Sequence, residues 1–418
     1  MTSTSTAPVV QYVVLPRTGL RAEAGTSTVE TRQFLAGLSA QVRVLDSIGP
    51  EGAKLIEATS EAVMALRRVQ PGLRVVPVRY YFPAVARRVV DVSAAPKAPG
   101  SPVNLEIVSA TDGAPVVGAF VVAFVDFARN SGDQGVTDAN GKVALALGGP
   151  DTKLDRLYVY PLEGYWSRLE QGLVATDGTK VEVQPLDLGY TDGLRHYYGN
   201  AADDAGSGVI VAVIDTGVDE HPDLTVSGGV NTVPGEDPND YGDNGQHHGT
   251  HVAGIIAAHG DPPSGIRGVA PGVTLRAYRV FGRGSGQGSS FAIAKAIDTA
   301  VADGCDLINM SLGGGQHDDT LKAAVEEARM SGSVCIIAAG NGDRAPVAFP
   351  ASDAMALAVS ALGRTGTFPE GVAETDDVAD PHGTDPADFI AAFSNVGPEI
   401  DLTGPGVGII STVPGGYA

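Results

Sequence analysis

The second half of the chain alternates short apolar runs with stretches of helical spacing, and this alternation limits the folds open to it. The apolar runs are nearly continuous, as in strands covered on both faces, and they fall at residues 209–214, 273–281, 306–311, 334–339 and 356–361. Helical spacing is found at residues 248–258, 289–302 and 318–331. Strands alternating with helices predict an α/β fold, a doubly wound parallel sheet, over residues 189–418.

Two further regions precede this sheet, with the Pro/Ala/Ser-rich residues 94–102 between them. The first, residues 9–93, carries strand-like runs at 9–15, 42–45, 54–58 and 73–82 and helical spacing at 28–38 and 60–69. The order β-α-β-β-α-β predicts a ferredoxin-like domain.

The second region, residues 103–188, is rich in short β-type runs, at 104–109, 116–127, 142–147, 157–161 and 180–183. The dipeptides Asp112-Gly113 and Asn140-Gly141 are typical of hairpin turns. The pattern predicts a small β-sandwich. The turn at residues 137–142 resembles that of carboxypeptidase-regulatory-like domains.

Charge and cysteine content exclude several classes of protein. The chain has 28 basic and 49 acidic side chains and a net charge of −21, which disfavours nucleic acid as a partner. The N-terminus lacks the pattern of a secretory signal, and no window is long enough to span a membrane. A cytoplasmic, membrane-free protein is the default expectation; a start placed elsewhere would make it secreted. Cys305 and Cys335 are too few for a disulfide framework and are expected to be buried thiols, although one bridge between them stays open.

Three polar residues stand at element ends, where the sites of such sheets lie. Asp215 follows the first apolar run, His248 opens the first helical stretch and Asn341 follows the fourth run. A fixed carboxylate can orient a histidine, and a neutral histidine can act as a general base. A preorganised amide can stabilise an oxyanion by about 3 kcal/mol. Taken singly, Asp215 is better explained as a residue that caps a turn, and Asn341 as a turn residue in the left-handed conformation.

Two arguments bear on the histidines at the start of this helix. The positive end of the helix dipole disfavours the protonated form of His248, which favours a neutral base. A metal site is the rival interpretation, because His247, His248 and His251 cluster. Zinc needs three or four ligands, the cysteines are distant, and no glutamate lies inside the helix motif. A histidine-based metallohydrolase is therefore the less favoured alternative.

A glycine-rich segment follows the third apolar run. Ser311, Leu312, Gly313 and Gly314 lie where a strand edge exposes backbone groups. An extended peptide can add to such an edge as an extra strand. The alternative, an ordinary glycine-rich loop, is equally compatible with this segment alone.

Together and in order, five motifs resemble the subtilisin-like serine protease (subtilase) family. They are Ile-Asp-Thr-Gly at 214–217, His-Gly-Thr-His-Val-Ala-Gly at 248–254, Gly-Val-Ala-Pro at 268–271, Asn-Met-Ser-Leu-Gly-Gly at 309–314 and Ala-Ala-Gly-Asn at 338–341. The resemblance covers residues 208–418, about half the chain. It implies a serine endopeptidase that hydrolyses peptide or protein substrates by an Asp-His-Ser mechanism.

The resemblance also implies roles for individual residues. Asp215 would orient His248, the base; Asn341 would serve the oxyanion hole; the segment 311–314 would line the specificity pocket; and His251 would be structural. No cofactor is required. Calcium is a further expectation, with Asp223 and a loop at 259–268 that contains Asp261 as candidate ligands.

Two departures from the simplest family layout are expected. Residues 9–93 resemble a propeptide that would act as the chain's own inhibitor, but a β-sandwich separates them from the peptidase region. The family's nucleophile lies in a Gly-Thr-Ser-Met-Ala type segment at the start of a buried helix, after runs like 394–398 and 402–406. Residues 1–418 contain Gly-Thr-Ser only at 25–27.

The predicted consequence is a peptidase domain, 189–418, that is C-terminally incomplete in this chain. Ser394 and Ser411 match non-catalytic serines of the pattern. The chain alone is expected to be inactive and to expose apolar surface on its sheet. A catalytically dead peptide-binding protein is the alternative of a different class.

Overall fold

The computed structural model describes residues 8–16, 19–20, 42–50, 52–69, 72–85, 87, 89, 102–149 and 151–418. Its first sheet is antiparallel, with strands in the order β2-β3-β1-β4. These elements are β1 (Val10–Leu15), β2 (Val42–Ser47), β3 (Lys54–Ala58), helix α1 (Ser60–Val69) and β4 (Arg74–Pro77). The helix predicted at 28–38 lies outside the described residues, so the ferredoxin-like assignment of residues 9–93 stays a prediction.

The apolar run at 73–82 is two strands, not the single strand that was predicted. β4 ends at Pro77, and β5 (Tyr80–Pro83) leaves the first sheet to pair elsewhere. Proline lacks the N–H that continues a ladder, which accounts for the break.

The next region consists of short strands in two larger sheets, ordered β12-β11-β7-β8 and β14-β6-β9. The strands are β6 (Val103–Ser109), β7 (Phe120–Asp126), β8 (Ser131–Val136), β9 (Lys142–Leu145), β10 (Thr152–Lys153), β11 (Arg156–Tyr160), β12 (Arg168–Gln171), β13 (Val174–Ala175) and β14 (Thr179–Val183). Buried side chains of both sheets, such as Ile107 and Val159, share one apolar cluster. Asn140-Gly141 does not close a hairpin, because β8 and β9 belong to different sheets.

The remaining elements build an eight-stranded sheet among the described residues, ordered β16-β17-β15-β19-β21-β22-β23, with β24 also paired to β22. Its strands are β15 (Ile210–Asp215), β16 (Val226–Asn231), β17 (Thr274–Arg279), β19 (Leu307–Met310), β21 (Val334–Ala338), β22 (Leu357–Arg364), β23 (Asp388–Ile390) and β24 (Ile400–Pro405). Short strands outside it are β18 (Gly288–Ser289), β20 (Leu312–Gly313), β25 (Thr412–Val413) and β26 (Gly416–Tyr417). The helices are α2 (Gly193–Tyr198), α3 (His248–Ala257), α4 (Ser290–Ala302), α5 (Asp319–Met330) and a 3₁₀ helix (Ala373–Asp377).

Helices cover both faces of this sheet, which is parallel except at β23. One apolar cluster joins Ile214 and Ile308 to buried residues of α4 and α5. The other joins Val211 and Val213 to α3. The region is therefore an α/β fold, and parallel pairing brings the carboxyl ends of β15, β19 and β21 to one edge.

Two further expectations concern the cysteines and membrane helices. Cys305 and Cys335 are free and buried. Within the described ranges, no helix is long and apolar enough to cross a membrane.

Candidate active site

Asp215 ends β15 and is fully buried. Its Oδ1 accepts a 2.7 Å hydrogen bond from the amide of Thr216. Its Oδ2 has no hydrogen-bond partner among the described residues. Burial and the fixed strand end hold the carboxylate in one place, as an orienting group requires.

His248 begins α3 and contacts this carboxylate directly. The distance from His248 Nδ1 to Asp215 Oδ1 is 2.7 Å. Gly249 allows the helix to approach, because a Cβ there would lie 2.2 Å from the carbonyl oxygen of Gly217. A hydrogen on Nδ1, donated to Asp215, leaves Nε2 of a neutral ring free to accept a proton.

The electrostatics of His248 differ from the helix-dipole expectation. Burial lowers the pKa of His248, but the charge of Asp215 and its hydrogen bond outweigh burial, so the pKa lies above its ordinary value. The dipole argument was wrong about the net direction, because a carboxylate in direct contact acts more strongly than a helix end. Burial, with a smaller contribution from the charge of His248, lowers the pKa of His251 to about 4.

A cavity of about 580 Å³ lies beside His248, and Asn341 and Ser311 are also in its wall. Asn341 lies three residues after Ala338, the last residue of β21. Among the described residues its amide makes no side-chain hydrogen bond, which leaves its N–H groups able to donate to a bound group. The structure thus places His248 and Asn341 in the wall of one cavity, and the buried Asp215 contacts His248 without lining that cavity.

Of the predicted segment 311–314, Ser311 lines this cavity, and an extended segment of the same chain is paired with the segment. Phe82 and Pro83 of β5 pair antiparallel with Gly313 and Leu312 of β20. The amide of Ala84 donates a 2.8 Å hydrogen bond to the carbonyl of Ser311.

On its other side, β5 pairs with β18, where Tyr81 and Tyr80 face Gly288 and Ser289. The three-stranded sheet β18-β5-β20 therefore has β5 as its central strand. Sequence reasoning had assigned this stretch to the first domain, because its apolar pattern does not reveal a partner more than 200 residues away.

Tyr81 is the buried anchor of β5. Its side chain is fully buried, and its hydroxyl donates a 3.0 Å hydrogen bond to the carbonyl of Gln316. Its ring centroid lies 6.4 Å from that of Phe349. Gly315 makes room for the ring, since a Cβ there would lie 2.1 Å from it.

The histidines of the metal alternative do not gather around one point. In the described part of the chain, no group of three or more His, Cys, Asp or Glu side chains is arranged to hold a metal ion. His248 is hydrogen-bonded to Asp215, and the buried Nδ1 of His247 has no partner among the described residues.

The candidate calcium ligands are also engaged with other groups. Asp223 accepts hydrogen bonds from the amide of Ile266 and the hydroxyl of Tyr417, and Asp261 pairs with Arg267. This donor set does not fit calcium, which needs six or more oxygen ligands.

Residues 103–188, the predicted β-sandwich, supply part of the cavity wall that the sequence did not reveal. Tyr160, Trp166 and Ser167 line the cavity together with Glu374 of the 3₁₀ helix. No local motif marks these residues, because they reach the cavity only through the packing of one region on another.

Comparison with known proteins settles the family. The sequence model of the Subtilase family matches residues 206–416, about half of the chain. The chain belongs to the subtilase family. This subtilase is 42% identical over 214 residues to alkaline elastase YaB of Bacillus sp. (strain YaB), which covers 51% of the chain and 50% of the elastase.

Two further relatives give the same extent of similarity. Subtilisin Savinase of Lederbergia lenta is 40% identical over 210 residues, 50% of the chain and 68% of that protein. Subtilisin E of Bacillus subtilis (strain 168) is 42% identical over 217 residues, 50% of each. This subtilase thus spans about half the length of the elastase and of subtilisin E.

Proposed function

We propose that this subtilase is a serine-type endopeptidase in which Asp215 and His248 activate a serine nucleophile. The observation that carries the proposal is the 2.7 Å contact of His248 Nδ1 with Asp215 Oδ1. Asp215 fixes the ring and stabilises the imidazolium that forms when Nε2 takes the serine proton. Asn341 donates to the oxyanion of the tetrahedral intermediate. Nε2 then protonates the leaving amine.

The nucleophile is expected in a Gly-Thr-Ser-Met-Ala segment, as in the family. Within residues 1–418, the tripeptide Gly-Thr-Ser occurs only at 25–27, outside the described residues. Removal of the nucleophile in a serine protease of this family costs about 10⁶ in rate, or about 8 kcal/mol of barrier. A polypeptide of residues 1–418 alone should therefore show no measurable turnover.

We further propose that residues 9–93 act as the chain's own inhibitor and that residues 311–314 bind the substrate. The support is that β5 pairs with both β18 and β20, as an extended peptide substrate would. Ala84 and Val85 line the same cavity as His248. The bond between them is therefore the one we expect a complete active site to cleave.

The test compares residues 1–418 with the same chain extended at its C-terminus by a Gly-Thr-Ser-Met-Ala helix from a subtilisin. We expect the extended chain to hydrolyse a chromogenic peptide and to release a fragment ending at Ala84. His248→Ala should lower the rate about 10⁶-fold and Asp215→Asn about 10⁴-fold. His382→Ala, at an exposed histidine, is the control.

Two results would contradict this proposal. Turnover by residues 1–418 that a chelator abolishes would favour the metallohydrolase. A folded, extended chain that binds peptides without cleaving them would favour a peptide-binding protein without catalysis. The observation that favours this second candidate is that the cleft already binds an extended segment, with a backbone hydrogen bond from Ala84 to Ser311 and the buried side chain of Tyr81.

A further inference from the structure

Asp243 lies in the loop that precedes α3, and its side chain is nearly buried, with the residue 5% exposed. Its Oδ1 accepts hydrogen bonds from the amide of Gly245 at 2.6 Å and from the amide of His247 at 3.1 Å. Its Oδ2 accepts a 3.1 Å hydrogen bond from the hydroxyl of Thr216. Both carboxylate oxygens are therefore used, and neither contacts His248 or Asp215 itself.

Thr216 connects this carboxylate to both members of the Asp215–His248 pair. Its amide donates to Asp215 Oδ1 at 2.7 Å. Its hydroxyl oxygen accepts a 2.8 Å hydrogen bond from the amide of Gly249. Asp243 is thus bonded directly to His247, which precedes His248, and to Thr216, which follows Asp215. Through Thr216 it is also connected to Gly249, which follows His248.

The start of α3 needs such a contact because it has no ordinary cap. His247 occupies the N-cap position in the left-handed region, with φ of 65°, and its side chain makes no capping hydrogen bond. A non-glycine residue in that region costs about 1–2 kcal/mol. The hydrogen bond from the His247 amide to Asp243 offsets this cost and fixes the angle at which the helix begins.

Other contacts hold Asp243 in place. Its amide donates to Asp219 Oδ1 at 2.8 Å, and the amide of Asp219 donates to the hydroxyl of Thr250 in α3 at 3.1 Å. Its carbonyl accepts from Arg283 at 3.3 Å. The loop is therefore connected to the first turn of α3 at more than one residue.

We propose that Asp243 is a positioning residue that keeps His248 Nδ1 in hydrogen-bonding distance of Asp215 by holding Thr216, His247 and, through Thr216, Gly249. The inference rests on the proposed function, since it gives that pair its catalytic role. Four charged or titratable groups interact electrostatically with His248: Asp215 and Asp243, which raise its pKa, Arg87, which lowers it, and His251.

The experiment is nitrogen NMR of residues 1–418 with labelled histidine, which measures the pKa of His248 and the exchange rate of its Nδ1 proton. Asp215→Asn should lower the pKa by about one to three units, as expected for loss of a contacting charge. Asp243→Asn and Thr216→Val should lower it less and speed proton exchange about tenfold, the effect of losing one hydrogen bond.

Three variants separate positioning from charge and from general loss of stability. Thr216→Val changes no charge, so an effect there reports geometry. Thr216→Ser keeps the hydroxyl and should restore wild-type exchange. Asp237→Asn, at an exposed aspartate of the same loop, should change neither quantity. Melting curves identify any variant that fails to fold. If Asp243→Asn does not fold, the comparison of Thr216→Val with Thr216→Ser still tests the proposal.

The outcomes distinguish the two proposals. Wild-type pKa and exchange in both Asp243→Asn and Thr216→Val would overturn the positioning role. A wild-type pKa in Asp215→Asn would instead mean that His248 and Asp215 are not paired, and the proposed function would fail with it.

Discussion

Near the candidate active site, the two regions that precede the peptidase sheet make different kinds of contact, although away from it the first also packs Leu15 and Leu55 against the sheet's helices. The N-terminal region reaches the candidate active site with β5, whose contacts there include backbone pairing on both edges and one buried side chain, Tyr81. The region of residues 103–188, predicted as a β-sandwich and called the sandwich below, contacts the 3₁₀ helix and nearby residues mainly with specific polar and aromatic side chains. Backbone pairing is available to any extended peptide, whereas side-chain contacts are not.

The sandwich contact is centred on Asp376. The hydroxyl of Tyr158 donates a 2.7 Å hydrogen bond to Asp376 Oδ2, and Arg156 forms an ion pair with the same oxygen. The guanidinium of Arg156 lies 3.8 Å from the ring centre of Phe127. Burial, more than the neighbouring Asp376, raises the pKa of Tyr158 to about 12, so it stays a donor.

A second set of contacts extends this surface along β12. Ser167 donates to Glu374 and accepts a 2.9 Å hydrogen bond from the amide of Ala373. The amide of Leu169 donates a 2.8 Å hydrogen bond to the carbonyl of Gly371. The difference is that β5 contacts the cleft mainly by backbone pairing, which another extended peptide could also make, whereas the second region relies on particular side chains.

The largest expected effect comes from Tyr81→Ala. It removes a fully buried ring from the cleft, a loss of about 3–5 kcal/mol for an aromatic side chain. We expect β5 to leave the cleft, which hydrogen exchange would show as faster exchange of the Ala84 amide. The Leu169 amide, at the sandwich contact, should keep its protection.

Tyr80→Ala is the matched control, because Tyr80 is in the same strand but 47% exposed. Equal release of β5 by both variants would mean that backbone pairing, not Tyr81, holds the segment. Loss of protection at Leu169 in Tyr81→Ala would mean that the two regions are not independent.

A smaller effect is expected from Asp376→Ala. It leaves the Tyr158 hydroxyl and the Arg156 guanidinium without their shared acceptor, and we expect a loss of about 2–3 kcal/mol in the free energy of unfolding. Hydrogen exchange should accelerate at the amides of Leu169 and Ala373 and stay unchanged at Ala84. This reverses the pattern expected for Tyr81→Ala.

Asp126→Ala serves as the control, since Asp126 pairs with the highly exposed Arg129 of the same region. Such surface pairs contribute about 0–1 kcal/mol. An Asp376→Ala chain as stable as this control would show that apolar packing alone holds the sandwich.

The features that sequence could predict are those with a local cause. The run before Asp215 and the helical spacing after His248 lie in the chain itself, and parallel strands end at one edge, so their meeting was predictable. The Ser311–Gly314 segment was predicted either as an edge for an extended peptide or as an ordinary glycine-rich loop, and its role in binding substrate stays a prediction. The assignment of residues 9–93 and 103–188 to particular domain types stays a prediction.

The features that sequence missed depend on distant contacts. The pattern of Tyr80–Pro83 is that of any short strand, and nothing in it indicates pairing with β18 and β20. The raised pKa of His248 depends on a carboxylate 33 positions away, which outweighs the helix start that the sequence does show. Asp243 belongs to none of the five motifs, and Thr216, although part of the motif at 214–217, gives no sign of this positioning role, because the role comes from the bonds between the two residues.

The smallest effect expected, and the one that distinguishes the two contacts by pH, is that of Glu374→Gln. Loss of water around the carboxylate raises the pKa of Glu374 above its ordinary value, and the hydrogen bond from Ser167 opposes this only in part. A raised pKa means that the folded state favours the protonated acid. The stability it contributes is present below the pKa of an unfolded glutamate, about 4.3, and is lost as the pH rises through the higher folded value.

Glutamine resembles the protonated acid and can still accept the hydrogen bond from Ser167. Glu374→Gln should therefore raise the free energy of unfolding by about 0.5–1 kcal/mol at pH 8 and change it little at pH 4. Glu370→Gln, at an exposed glutamate nearby, should show no such dependence. If Glu374→Gln instead destabilises the protein at pH 8, the ionised carboxylate is itself a stabilising contact. The Glu374 contact would then depend on charge, as the Asp376 contact does. Mild acid would in that case weaken the contacts of the sandwich before it weakened the backbone pairing of β5.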